Sequence, residues 1–285
     1  MTLLQILILA VVQGACELLP VSSSAHVILA EKLMGLDPTS PEMTLVLVML
    51  HTGTMLAVIV YFWEAWRSRY FASSEAFWPF ASQIALATGL TGVIGLALIQ
   101  FIERMVLSGH NAEIEQLFGN MPMIAAGLAM SGVLIVISGR RSEGTNQKDG
   151  IGLAGAARIG IVQAFCIPFR GFSRSGATIS TGLLLGLNKQ RVEEFSFALA
   201  VVLTPAAIAR EAYRLLKSHP SMPAGSGSLL DILWPSLAGL LLSFAAGLVA
   251  LRWLSSWLER GRWQIFGYYC FFASVVMLAL DRVLR

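Results

Sequence analysis

Glu17, His26 and the serines at 22, 23 and 24 lie in one short stretch of strongly apolar sequence, residues 13 to 26, Gln-Gly-Ala-Cys-Glu-Leu-Leu-Pro-Val-Ser-Ser-Ser-Ala-His. An ionisable group at membrane depth costs at least about 2.5–3.5 kcal/mol on insertion scales, so it marks a protein-lined or wet cavity and a functional site. A carboxylate can hold a cation or accept a proton, a hydroxyl can attack, and an imidazole can move protons near neutral pH. Ser23 is the candidate nucleophile and His26 its candidate base and later acid. A water activated by His26 or Glu17 is the alternative. Gln13 stands four residues before Glu17 and shares its helix face, which makes the two the candidate metal ligands.

A second constellation, Gly-Phe-Ser-Arg-Ser-Gly-Ala-Thr at 171 to 178, sets one guanidinium among three hydroxyls and two glycines. The planar fork of Arg174 suits a phosphate, because it donates two parallel charge-assisted hydrogen bonds and stays charged when buried. Ser22, Ser173, Ser175 and Thr178 are candidate phosphate contacts. Arg170 is open between a substrate contact and a lipid-headgroup contact. The N–H groups opening a helix from Ala177 to Leu187 would point at the same anion.

The elements that must position these groups are read from the apolar pattern. Of 285 residues 56% are hydrophobic and 13% charged, against roughly 25% charged in soluble domains, which predicts an all-α polytopic membrane protein. A net charge of +3, from 20 Lys and Arg against 17 Asp and Glu, spread between apolar blocks, excludes a nucleic-acid surface. The helix from Leu3 ends before Pro20, whose ring clashes with the preceding turn. A serine then caps a second short helix. Two short helices joined by Pro-Val-Ser make a hairpin that enters the bilayer and returns, tolerated only where it lines a cavity. Spans are expected at 45–63, 82–102 and 121–138. Then Val162-Gln163-Ala164-Phe165-Cys166 echoes Val12-Gln13-Gly14-Ala15-Cys16 at an offset of 150. A second hairpin follows, and further spans are expected at 195–208, 233–254 and 263–280.

The expected architecture is one integral membrane domain over 1–285, in two repeats, 1–140 and 150–285, each a re-entrant hairpin plus three spans. An odd number of spans per repeat inverts the second copy, so the hairpins meet tip to tip. Setting aside Arg170 and Arg174, eleven Lys and Arg fall on one side and seven on the other. The positive-inside rule therefore places both termini outside the cytoplasm. Trp63, Trp66, Trp78, Trp253, Trp257 and Trp263 are expected at the interfaces, and the glycines from 89 to 95 at a close helix contact. Cys16, Cys166 and Cys270 read as small buried hydrophobes. His51 reads as a polar group satisfied between helices, and His110 and His219 as loop residues.

The pattern Gln13-x-x-x-Glu17, the run Pro20-Val-Ser-Ser-x-x-His26 and Gly-Phe-Ser-Arg-Ser-Gly-Ala-Thr together resemble the undecaprenyl pyrophosphate phosphatases of bacterial membranes, also called the bacitracin-resistance family. The resemblance covers essentially the whole chain. It implies removal of the terminal phosphate of undecaprenyl pyrophosphate, to recycle the lipid carrier of cell-wall synthesis, aided by a divalent cation, Mg²⁺ or Ca²⁺. It also implies a bacterial inner-membrane enzyme with a periplasm-facing site, conferring bacitracin resistance, and a homodimer among membrane lipids. Three features depart from the family pattern, the first being Gln163, one residue farther upstream than the pattern has it. Arg170-Gly171 stands where Pro-Gly is usual, and Ala25 where Gly is usual. A cation at 170 either meets the second phosphate or shifts the substrate. The rivals are a polyprenyl-phosphate flippase, which needs cations but no nucleophile, and a phosphatase of other prenyl or lipid pyrophosphates.

Overall fold

The computed structural model describes residues 1–36, 41–105, 120–141, 148–218 and 229–284. His110, His219 and Arg285 lie outside the described residues. The described chain is helical: α1 (Leu3–Leu18), α2 (Ser23–Leu33), α3 (Pro41–Arg69), α4 (Ser74–Met105), α5 (Met121–Arg141), α6 (Gly152–Ala164), α7 (Arg174–Leu184), α8 (Lys189–Ser218), α9 (Leu229–Glu259) and α10 (Trp263–Leu284). Among the described residues five helices, α3, α4, α5, α9 and α10, are long and apolar enough to cross a membrane. The chain is thus a multi-pass membrane protein. The expected span 195–208 falls within α8, a 30-residue helix.

Local sequence explains the short helices. Thr2 and Gln5 close a capping box on α1, Thr2 Oγ1 accepting from Gln5 N at 3.3 Å and Gln5 Oε1 from Thr2 N at 2.9 Å. Leu19 leaves the helix in extended backbone, one residue before Pro20. The chain then turns at Ser22, whose φ of 66° makes it the one non-glycine residue with positive φ among those described. A serine in that region is held there by its surroundings, and such residues cluster at functional sites. The expected serine cap is absent on α2, where Ser22 makes no side-chain cap bond. It is present on α7, where Ser173 Oγ accepts from Gly176 N at 3.2 Å. That helix begins at Arg174, three residues earlier than the apolar pattern suggests, because the Ser173 cap closes its first turn.

The packing pairs α1 with α2, α3 and α9, and α6 with α7 and α4; α3 lies against α8 and α9, and α5 against α10 and α7. Between apolar helices in lipid, van der Waals fit and interhelical hydrogen bonds hold the bundle, each bond contributing about 0.6 kcal/mol on average. The hydroxyls inside the spans serve this purpose. Ser243 Oγ reaches Leu50 O at 3.0 Å, Ser274 Oγ reaches Ala125 O at 2.7 Å, and Thr91 Oγ1 reaches Gly160 O at 2.9 Å. The close helix contact expected at the glycines of α4 is confined to Gly95, since Gly89 and Gly92 face open space. Two of the tryptophans expected at the interfaces are core residues instead. Trp263 is 1% exposed and donates to Ser138 and Ser180, while buried Trp66 stacks on Phe62. Trp63, Trp78 and Trp253 are exposed, as interfacial side chains are.

Candidate active site

The turn that ends α1 and the turn that opens α7 meet at Glu17. Its last-turn position puts the carboxylate at the negative end of α1, an unfavourable place for an anion that a cation must offset. Arg174 does so from the first residue of α7, with Nη2 3.1 Å from Glu17 Oε1. The other carboxylate oxygen, Oε2, takes two more donors: Ser23 Oγ at 2.6 Å and Gln13 Nε2 at 3.2 Å. Three candidate residues therefore converge on one carboxylate, one from α1, one from α2 and one 157 positions away in sequence. The side chains of Glu17 and Arg174 are about a fifth exposed, at 19% and 21%.

Behind this pair the second constellation acts as a brace. Ser175 Oγ donates to Leu19 O at 3.2 Å, and Ser173 N donates to Ser131 Oγ at 2.7 Å. Thr178 is fully buried, its hydroxyl 2.9 Å from Arg174 O and 2.6 Å from Ser196 Oγ. The Arg174 guanidinium lies over the Phe197 ring at 6.0 Å, a cation–π arrangement that fixes its plane. Its Nη1 is buried and has no hydrogen-bond partner among the described residues. A buried donor left unmade costs about 1–3 kcal/mol.

His26 does not pair with Ser23. Its Nδ1 is 2.8 Å from the Ser22 carbonyl and its Nε2 2.8 Å from Tyr269 Oη, with the two rings stacked at 5.6 Å. A carbonyl only accepts, so Nδ1 carries the hydrogen and Nε2 receives the tyrosine hydroxyl. Ser23, one position into α2, faces Glu17 instead. Ser22 Oγ is 3.3 Å from Ser24 Oγ. Arg170 is exposed, and its charge acts on Glu31 of α2.

The model of the family described as bacitracin resistance protein BacA matches residues 6–276. The chain belongs to that family. It is 56% identical to a protein of Acinetobacter baylyi named undecaprenyl-diphosphatase 2, over 98% of each chain. It is 36% identical to an undecaprenyl-diphosphatase of Thermus thermophilus, over 92% of this chain and 91% of that one. With one of Korarchaeum cryptofilum it shares 33% identity, over 98% of this chain and all of the relative.

Two groups near the site were not among the candidates: His51, read as a packing residue, and Tyr269, which was not singled out. His51 of α3 has its Nε2 3.9 Å from Glu17 Oε2, and Tyr269 of α10 meets His26. A histidine amid apolar sequence was the available signal for the first; nothing local marks the second. A further polar cluster ties α3, α8 and α9. Glu194 pairs with Arg69 and accepts from Tyr70 Oη at 3.2 Å, while Ser255 donates to Glu193 and accepts from Tyr61 Oη at 3.0 Å. Adjacent carboxylates directly before an apolar run were its signal.

Proposed function

We propose that this protein hydrolyses undecaprenyl pyrophosphate to undecaprenyl phosphate and phosphate, recycling the cell-wall lipid carrier and conferring bacitracin resistance. The observation that carries the reading is the Glu17 carboxylate, held between a hydroxyl at 2.6 Å and a guanidinium at 3.1 Å. Phosphoryl transfer needs a positioned nucleophile and fixed positive charge around the equatorial oxygens. Ser23 is the nucleophile, its proton accepted by Glu17. Arg174 binds the phosphoryl group with Ser22, Ser173 and Ser175 nearby. His26, one turn along α2 from Ser22, is held by the Ser22 carbonyl and the Tyr269 hydroxyl and braces the turn that carries Ser23. Thr178 supports the phosphate contact through the backbone of Arg174, and Arg170 acts at the rim through Glu31.

A divalent cation, Mg²⁺ or Ca²⁺, fits this donor set only as an ion held mainly by substrate phosphates and water. Among the described residues no three His, Cys, Asp or Glu side chains converge. Glu17 would be its carboxylate ligand and Gln13 a neutral one after its amide turns, and the ion would neutralise phosphate charge.

The architecture proposed is a pair of inverted repeats, 1–140 and 150–285, whose re-entrant hairpins are α1–α2 and α6–α7. Helices of 16 and 11 residues reach only about 24 and 17 Å, short of a hydrocarbon core of about 30 Å. The packing supports the repeat as well, since α1 on α9 has its counterpart in α6 on α4. In this arrangement the site opens to the periplasm, both termini lie on that side, and the protein works as a homodimer in the bacterial inner membrane.

The test is phosphate release from undecaprenyl pyrophosphate by the purified protein in detergent. Release should disappear after dialysis against EDTA and return with Mg²⁺ or Ca²⁺. Ser23→Ala should lower kcat at least about a hundredfold; a rate near wild type would rule out the seryl route. No release with any metal would leave lipid flipping as the function to assay.

A further inference from the structure

Two successive residues of α10 grip the turn that presents Ser23. Ser22, at φ 66° and ψ 98°, stands in a backbone region that a serine keeps only when its surroundings hold it there. The next residue carries the hydroxyl that meets Glu17 Oε2 at 2.6 Å. Before Ser22, Cys270 Sγ donates to the Pro20 carbonyl at 3.4 Å. At Ser22 itself, His26 Nδ1 donates to the carbonyl, and Tyr269 Oη donates to His26 Nε2, both at 2.8 Å. Cys270 and Ser22 are buried, at 0% and 6% exposed. The carbonyl of Ser22 and the N–H of Ser23 share one peptide plane, so whatever fixes that carbonyl fixes the start of α2 and the direction from which Ser23 leaves it.

The link depends on which nitrogen of His26 carries the hydrogen. With the tyrosine hydroxyl donating to Nε2, the hydrogen sits on Nδ1, where it can be given to Ser22. Without that hydroxyl the ring is free to carry its hydrogen on Nε2, which leaves a lone pair on Nδ1 facing a carbonyl oxygen 2.8 Å away. Two acceptors at that distance repel, and the turn loosens. We propose that Tyr269 is a positioning residue of the site: it sets the tautomer of His26, and through it the peptide plane that aims Ser23 at Glu17. The proposal rests on the phosphatase reading with Ser23 as nucleophile. The competing use of Tyr269 is as a wall. With Ala25, Leu29, Phe272 and Met277 it lines an apolar groove, and its ring stacks on His26 with centroids 5.6 Å apart. A phenylalanine keeps both the wall and the stacking, so the two uses separate on a single oxygen atom.

The test is kcat and KM for phosphate release from undecaprenyl pyrophosphate by the full chain in detergent, in the wild type, Tyr269→Phe, Ser23→Ala and Ser23→Ala/Tyr269→Phe. It is joined by ¹⁵N NMR of histidine-labelled protein at a pH of about 8, where a free imidazole is neutral. Tyr269→Phe should lower kcat about thirtyfold with KM within about twofold of wild type, since a misplaced nucleophile loses rate and not binding. Added to Ser23→Ala it should cost less than about twofold more, because the group it aims is already gone. The wild-type His26 signals, identified by their loss in His26→Gln, should be those of the Nδ1–H tautomer, and in Tyr269→Phe they should move toward Nε2–H. A Tyr269→Phe rate within about twofold of wild type, a loss confined to KM, a full loss of about thirtyfold on top of Ser23→Ala, or an Nε2–H tautomer in the wild type would each overturn the proposal. Should Tyr269→Phe not fold, the wild-type tautomer alone can refute it. A wild-type rate in Ser23→Ala would remove the nucleophile that Tyr269 serves, and absence of wild-type turnover would sink the phosphatase reading itself; either takes this proposal with it.

Discussion

Glu17→Gln is expected to reduce phosphate release from undecaprenyl pyrophosphate at least about a thousandfold, with folded protein still recovered. The amide has the size of the carboxylate, so α1 keeps its packing and Arg174 keeps an oxygen to meet. What is lost is charge and basicity. Ser23 Oγ, 2.6 Å from Oε2 in the wild type, no longer faces a group that can accept its proton, and the guanidinium 3.1 Å from Oε1 no longer has a counter-ion. The divalent cation proposed for the site would also lose its carboxylate ligand. Phosphate release and thermal unfolding measured on the same preparation separate the chemistry from the fold. Turnover within tenfold of wild type would remove Glu17 from the mechanism.

Gly171→Ala is expected to be the most damaging single methyl in the second helical pair. The residue has φ of +95°, and a Cβ built there would sit 2.1 Å from the Ile124 carbonyl oxygen of α5. Both objections fall on backbone, which cannot swing aside as a side chain can. The left-handed conformation costs an alanine about 1–2 kcal/mol, and forcing the tip of 170–172 off α5 adds about 1–3 kcal/mol. The unfolding midpoint in detergent should drop by well over 5 °C. Activity should fall with it, because Ser173 and Arg174 follow within three residues. Gly186→Ala is the control. Its φ is +72° but nothing lies within 4 Å, so it bears only the conformational cost. Equal midpoints for the two variants would show that the contact with Ile124 does not matter.

What could be read in advance depended on whether a residue's environment was declared by its own sequence neighbours. Glu17 and Arg174 announced themselves, since a charge in an apolar run must be met by something. The end of α1 before Pro20 and the helical stretches within the expected spans followed from short-range sterics and hydrophobic length. His26 was placed on the right helix, but its partners were not legible. Tyr269 is 243 residues away, and the bond to the Ser22 carbonyl arises from a backbone turn that no residue type dictates. His51 was weighed as a packing histidine because its approach to Glu17 depends on how α3 packs on α1, which its own sequence neighbours do not declare. Trp66 and Trp263 failed for a related reason. Their position near span ends suited an interface, but neighbouring helices rise past them and bury them.

Glu17 and Arg174 also have a history within each molecule as it is made. They are 157 residues apart, and a ribosome adds about 5–20 residues per second, so the carboxylate is synthesised on the order of ten to thirty seconds before its guanidinium exists. During that interval Glu17 has the donors of Gln13 and Ser23 but no guanidinium. The place of α1 and α2 in the membrane is provisional until the Ser-Arg-Ser turn arrives to neutralise that carboxylate. The ion pair that organises the site therefore joins the first helices made to a turn made more than half a chain later.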